Sequence, residues 1–225
     1  FSATLPPQTP PQAALYCTNG AAASVTAVDR GMKLVTGVIP VDGAPRGLAI
    51  DPLARRGYVA LHREDRIEVL DLASGASMGR IPLSPGDGPT DVALAADRTL
   101  VVVNERSRTV AFVDPGAMMV LGRVPVGDAP GALLLDRSGR RAFVANRASA
   151  TVTVIDVGQR AVFGTLSTDP EPLRVGLSRD GSRLYVVHRG STDLAAFAVP
   201  SLAPQGRGLV GLGATSLRVG PRAEL

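Results

Sequence analysis

A short apolar segment recurs along the chain about every 42 residues, and this period constrains the fold more than any other feature. Its five copies begin 42, 43, 42 and 42 residues apart. Self-similarity at a fixed period of roughly 20 to 50 residues is typical of repeat architectures. The chain is therefore predicted to be an array of one structural unit. The copies are Tyr16-Cys17-Thr18-Asn19, Tyr58-Val59-Ala60-Leu61, Val101-Val102-Val103-Asn104, Phe143-Val144-Ala145-Asn146 and Tyr185-Val186-Val187-His188.

Each repeat contains four short segments with the pattern of β-strands, rich in Val, Leu and Ile and bounded by Gly, Pro, Asp or Asn. In order, strand a follows a proline, strand b is the recurring tetrapeptide, strand c ends in an aspartate, and strand d runs into a Pro. That aspartate is predicted to accept turn amides. Proline cannot donate to a sheet ladder, so Pro40, Pro82 and Pro125 place strand d at a sheet edge. With 25 Gly and 18 Pro as turn residues, a helical bundle is excluded.

Four antiparallel strands cannot bury both faces of their own sheet, so each sheet is predicted to pack between its neighbours, as in a β-propeller. The segments Gly127–Pro130, Phe143–Asn146 and Thr151–Asp156 resemble the YVTN-type β-propeller repeat. The resemblance covers about residues 15 to 220 and implies the fold. It implies little about function, because such propellers occur in surface-layer proteins, secreted binding proteins, and lactonase-like or cytochrome-domain enzymes.

The predicted fold is an all-β propeller of five four-stranded antiparallel blades, closed by a C-terminal strand that completes the first blade. The chain enters at strand b of its first repeat, and residues 214–219 lie 42 residues beyond the strand a of the fifth repeat, residues 172–177. If residues 214–219 lie beside residues 16–18, they complete the first blade and close the ring. The alternative is an arc of a longer propeller, or one that pairs with another chain. Residues 1–14 are predicted to be a Pro-rich extended linker, 15–220 the propeller and 221–225 a C-terminal tail.

Alignment of the inner a strands predicts a candidate ligand site near the mouth of the central channel. Five residues fall at one level there: Gly47, Asp91, Ala132, Arg174 and Ser216. Asp91 and Arg174 are the opposite charges of this level, so a small polar or anionic ligand could bind at Asp91, Arg174 and Ser216. The alternative is a salt bridge or a solvated ion pair, which often contributes little energy.

No residue pattern predicts catalysis. Neither His62 nor His188 has further ligands at metal-binding spacing, and neither maps to the channel mouth, where a lactonase-like or lyase-like enzyme needs His and Glu. His188 replaces the asparagine of other copies, which is predicted to bond turn backbone between strands b and c. Cys17 has apolar neighbours and is predicted to be a buried small hydrophobic residue. We expect no catalytic residue, no metal and no cofactor.

Charge and composition narrow the class of partner. The net charge is +4, but the basic residues are scattered arginines with Lys33 as the only lysine, so no nucleic-acid partner is expected. No apolar stretch reaches the length of a membrane span. The Pro-rich start suggests tethering, with a removed signal or an anchor upstream of Phe1.

The expected function is that of a non-catalytic protein-interaction or scaffold propeller. It would be an accessory subunit of a larger bacterial membrane-associated complex, exported to the periplasmic or extracellular side. The alternative is a small-molecule-binding or carbohydrate-binding propeller, or a lactonase-like or lyase-like one, that uses the central channel.

Overall fold

The computed structural model describes residues 14–199 and 201–211 together with Ala214 and Leu217. Within these residues the chain forms nineteen strands in five antiparallel sheets, without a helix. Strands that follow one another in the chain lie side by side in each sheet, so every blade is a simple meander. The all-β propeller with antiparallel blades that the repeat predicts is confirmed.

The strands follow the predicted order, three in the first sheet and four in each of the others. Blade 1 holds β1 (Ala14–Asn19), β2 (Ser24–Asp29) and β3 (Leu34–Pro40); blade 2 holds β4 (Pro45–Asp51), β5 (Arg56–Leu61), β6 (Arg66–Asp71) and β7 (Ser77–Pro82); blade 3 holds β8 (Pro89–Leu94), β9 (Leu100–Asn104), β10 (Thr109–Asp114) and β11 (Met119–Pro125); blade 4 holds β12 (Pro130–Leu135), β13 (Arg141–Asn146), β14 (Thr151–Asp156) and β15 (Ala161–Ser167); blade 5 holds β16 (Pro172–Leu177), β17 (Arg183–His188), β18 (Asp193–Ala198) and β19 (Pro204–Leu209).

The prolines lie where a sheet tolerates them. Pro40, Pro82 and Pro125 each end an outer strand, as predicted, and that strand has a hydrogen-bonded neighbour on one side only. A second set begins the inner strands, where the missing amide interrupts little of the ladder. These are Pro45, Pro89, Pro130 and Pro172.

The aspartate that ends strand c caps the following turn. The amides of Gly31 and Met32 donate to Asp29 Oδ1 at 2.6 and 2.8 Å. Because these bonds hold the backbone of the turn that leads into the outer strand, the predicted turn role is confirmed. The same arrangement recurs at Asp71, Asp114 and Asp156.

The asparagine that ends strand b has a different role from the predicted one. Asn146 Nδ2 donates to Thr151 Oγ1 at 3.0 Å and to Thr153 Oγ1 at 2.8 Å. Asn19 donates in the same way to the hydroxyls of Ser24 and Thr26. The prediction of bonding to turn backbone is wrong, because the side chain reaches across the ladder to hydroxyls of the paired strand c and ties the two strands together.

Three positions on each of blades 2 to 5 face the preceding blade. In blade 4 they are Ala142, Val144 and Ile155, which are fully buried and belong to one apolar cluster with Val103 and Phe112 of blade 3. Such clusters between neighbouring sheets are the core of the molecule. The equivalent residues are also buried in blades 2, 3 and 5. They are Gly57, Val59 and Leu70 in blade 2, Leu100, Val102 and Val113 in blade 3, and Leu184, Val186 and Phe197 in blade 5.

Blade 1 presents this face to solvent. Leu15, Cys17 and Val28 occupy the three positions, and Leu15 is 53% exposed. The strand registers place Val35 and Val38 on the same face, where they are 56% and 58% exposed. The prediction that Cys17 is buried is wrong: its thiol is exposed, because within the described residues no blade covers it. We call these five residues the open face of blade 1.

The face of blade 5 that points away from blade 4 carries a separate apolar cluster of Tyr185, Val187 and Leu194, onto which Ala214 and Leu217 pack. As far as the chain is described, this cluster has no member from blade 1. The predicted closing strand, residues 214–219, otherwise lies outside the described residues. So do the predicted tail, 221–225, and the predicted linker, 1–14, except for residue 14, which begins β1.

Candidate functional site

The inner strands of blades 2 to 5 share an irregularity directly after their first residue. In β12 the register shifts between Pro130 and Ala132, so that Gly131 is an extra residue opposite the neighbouring strand. Such a β-bulge bends the strand and redirects its side chains. The bulges therefore set the orientation of the residues at one end of the channel. The same shift follows Pro45, Pro89 and Pro172.

A cavity of about 340 Å³ opens at this end of the inner strands, and we call it the mouth cavity. Residues of blades 2 to 5 line it, among them Gly47, Asp91, Ala132 and Arg174. The structure thus brings together four of the five residues that the repeat places at one level. The fifth, Ser216, lies outside the described residues.

Gly47 sets the distance between blades 2 and 3 at the mouth. A Cβ atom at this position would lie 2.6 Å from Asp91 Cα and 2.9 Å from the backbone nitrogen of Val92. Any side chain would therefore force β4 and β8 apart. The absence of a side chain lets the two inner strands approach closely and keeps Asp91 near the channel.

Asp91 connects two blades and does not pair with Arg174. The amide of Leu133 in blade 4 donates to Asp91 Oδ2 at 3.0 Å, and the amide of Val92 donates to Oδ1 at 3.0 Å. Arg174 Nη1 donates instead to the carbonyl of Leu173 at 3.0 Å. The predicted alternative of a salt bridge between Asp91 and Arg174 is not formed.

The environment of Asp91 affects its protonation in two directions. Burial raises the pKa of its carboxyl above the ordinary value. The amides of Leu133 and Val92 and the positive charge of Arg174 act against this, because they stabilise the ionised form. The hydrogen bond from the Leu133 amide joins the inner strands of blades 3 and 4, whereas the bond from Val92 stays within blade 3.

Three further charged residues line the mouth cavity, and none of them is among the residues predicted from sequence: Arg46, Glu105 and Arg147. Arg46 Nη1 lies 3.1 Å from Glu105 Oε2, and Arg147 Nη2 lies 3.9 Å from the other oxygen of Glu105. Arg46 follows the inner-strand proline, and the other two follow the last residue of strand b. Alignment of those two repeat positions could have found all three.

His62 lies beside Glu105 and is not among the described residues that line the mouth cavity. Its Nε2 is 3.9 Å from Glu105 Oε2. Burial lowers the pKa of His62, as do the charges of Arg46 and Arg106, while Glu105 raises it. The imidazole is therefore expected to be neutral at neutral pH, and it stands behind Glu105 without lining the cavity.

His188 lies inside blade 5, where blades 1, 3 and 4 carry asparagine. It is 1% exposed, and neither of its ring nitrogens has a hydrogen-bond partner among the described residues. Burial lowers its pKa, the carboxylate of Asp169 raises it, and Arg207 lowers it. Ala195 stands where blade 4 has Thr153, so the hydroxyl that Asn146 uses is missing here. His188 is a buried polar group without the partner that its counterparts have.

The mouth cavity can hold an anionic or polar group. Its charged side chains are Arg46, Arg147 and Arg174 against Asp91 and Glu105. Among the residues described, no group of three or more His, Cys, Asp or Glu side chains could hold a metal ion. The described part of the chain also contains no helix long and apolar enough to cross a bilayer.

Comparisons with known proteins support the fold. No protein-family model and no curated protein matches the chain. Among solved structures, the hydrazine synthase of Kuenenia stuttgartiensis is similar with a TM-score of 0.77 and 19% identity, over 92% of this chain and 65% of that one. A streptogramin B lyase is similar with a TM-score of 0.75 and 14% identity, over 88% of this chain and 65% of that one. The chain thus spans about two thirds of either structure, and likeness at such identities shows the β-propeller fold alone.

Proposed function

We propose that this chain is a non-catalytic interaction propeller that binds a partner protein through the open face of blade 1. One observation supports this most directly. The positions of Leu15, Cys17 and Val28 are buried in each of the other four blades, whereas Leu15 and Cys17 are exposed here. Contiguous exposed apolar patches on a soluble protein are typical of interaction sites.

The surface that fits the open face is an apolar β-sheet. In blades 2 to 5 the equivalent face is covered by the sheet of the preceding blade, and packed sheets lie about 10 Å apart. A second copy of this chain could cover the open face only with the corresponding face of its own blade 5, the one that points away from blade 4. That face is already buried at Tyr185, Val187 and Leu194, with Ala214 and Leu217 packed on it. A different protein with a flat apolar surface is therefore favoured.

In this proposal the propeller is of the YVTN type and is an accessory or scaffold subunit of a larger membrane-associated complex. It would be exported to the periplasmic or extracellular side of a bacterial membrane. The Pro-rich composition of residues 1–14 supports a tethered arrangement, since such segments act as extended spacers.

Thiol labelling of Cys17 tests the proposal, because Cys17 is the only cysteine in the chain and lies on the open face. In the isolated folded chain the thiol is expected to react with a maleimide nearly as fast as in the urea-unfolded chain. In the complex purified from the native source at fixed stoichiometry, the rate is expected to fall by an order of magnitude or more. The readout is the rate of mass increase of this chain.

Two valines provide a matched pair of variants for the same test. Val35 on β3 and Val162 on β15 occupy equivalent, exposed positions in blades 1 and 4. Val35→Asp is expected to abolish co-purification of the partner, and Val162→Asp to leave it intact. Slow labelling of Cys17 in the isolated monomer would show that the chain covers its own open face, and the proposal would then fail.

The mouth cavity favours a second candidate function, small-molecule binding in the central channel. The cavity brings charged side chains from four blades together at one end of the ring. Purification of the chain as a monomer whose unfolding temperature rises with a small metabolite would support this function over partner binding.

A further inference from the structure

We infer that the mouth cavity binds a small non-aromatic anion whose carboxylate or phosphate oxygens accept hydrogen bonds from Arg174 and Arg147. This inference rests on the second candidate function and deepens it by naming the ligand class. It is independent of partner binding at the open face of blade 1, because the residues involved lie on blades 4 and 5.

The charge balance of the cavity supports an anion. Glu105 compensates Arg46 at 3.1 Å and lies farther from Arg147, at 3.9 Å. Both oxygens of Asp91 accept backbone amides, one of them from the neighbouring blade. Among the described lining residues, three arginines therefore face two carboxylates, both of which are already engaged.

Arg174 has the donors that such a ligand needs. Within the described part of the chain, its exposed side chain donates one hydrogen bond, to the carbonyl of Leu173. A guanidinium carries five N–H donors in a planar fork that matches the oxygens of a carboxylate or phosphate. Arg147 reaches the same cavity from blade 4, which neighbours the blade of Arg174. Two guanidinium groups can therefore approach one anion from two sides.

The size and lining of the cavity restrict the ligand to a small one. A volume of about 340 Å³ is at the lower end of ligand cavities, which span roughly 300 to 1,000 Å³. Among the described residues, the lining includes Ala129, Gly131, Ala132 and Pro172 but no aromatic side chain. A nucleobase or another aromatic ring would therefore find no stacking partner among these residues. Small carboxylates and phosphates satisfy both the charge and the space.

Calorimetric titration of the full chain with malonate and, separately, with inorganic phosphate tests the inference. Saturable binding of at least one probe is expected, with sodium chloride at matched ionic strength as the blank. Binding of malonate alone would identify a carboxylate ligand, and binding of phosphate alone a phosphate ligand. Arg174→Gln and Arg147→Gln are each expected to weaken binding by about tenfold to a hundredfold, the range for one charged hydrogen-bonding group.

A matched control is available in Arg137→Gln. Arg137 is exposed and lies in the turn after β12, at the opposite end of that strand from the mouth cavity. This variant is expected to bind like the wild type. The inference is overturned if neither probe binds saturably, or if binding persists unchanged in both Arg174→Gln and Arg147→Gln. Cys17 labelling does not involve the mouth cavity, so such a result would leave partner binding unaffected.

Discussion

Phe143→Ala is expected to lower the free energy of unfolding of the propeller by about 3 to 5 kcal/mol, the range for truncation of a buried phenylalanine. Phe143 is fully buried, and its cluster joins Val154 of blade 4 to Val175 and Leu184 of blade 5. Each blade of a propeller packs only against its neighbours, so a cavity between blades 4 and 5 weakens the ring at that interface. Urea unfolding followed by circular dichroism measures the change.

Phe163→Ala is the control for this prediction, since it removes the same side chain from the surface of the same blade. Phe163 is 47% exposed, and the guanidinium of Arg141 lies 4.2 Å from the centre of its ring. Its loss is expected to cost about 1 kcal/mol or less, as for most exposed cation–π contacts. Equal losses for the two variants would contradict the assignment of Phe143 to the core between blades.

The free energy of unfolding is also expected to fall as the pH falls below about 6.5, the ordinary pKa of histidine, because of His188. Burial lowers the pKa of His188 in the folded chain, so the unfolded chain binds the proton more readily. The stabilisation is therefore complete above the unfolded pKa and is lost as the pH falls toward the folded pKa. The slope from this residue approaches about 1.4 kcal/mol per pH unit.

His188→Asn should remove this part of the pH dependence, since it installs the neutral residue that blades 1, 3 and 4 carry at the same position. Urea unfolding of both proteins between about pH 5 and 8, the range in which histidine titrates, measures the difference. His62, whose pKa is also lowered, is present in both proteins and cancels in the comparison. Identical pH profiles for the two proteins would refute the assignment.

Much of the fold could be predicted from sequence because its signals are local. The tetrapeptides of strand b, the aspartates after strand c and the prolines of the outer strands each act within a few residues of the chain. That Asp91 and Arg174 lie at one level of the channel could be predicted for the same reason, since a repeat of constant length places equivalent residues at equivalent heights. These residues do line one cavity.

The partners of those residues could not be predicted, because they depend on contacts between blades. Asp91 accepts an amide of the neighbouring blade, and Glu105 lies between arginines of two other blades. The β-bulges in the inner strands add one residue to the register and redirect the side chains that follow. No motif in the sequence distinguishes a bulged strand a from a regular one.

The repeat, the strand order, the sheet edges and the turn chemistry follow from the sequence alone, since they depend on the period of apolar residues and on backbone preferences. Which apolar faces are covered depends on how the blades pack against one another. Leu15, Cys17 and Val28 are as apolar as their buried counterparts in blade 4, yet blade 1 leaves this face open. This is because the burial of a sheet face depends on the neighbouring sheet packed against it, and the pattern of a single strand carries no information about that neighbour.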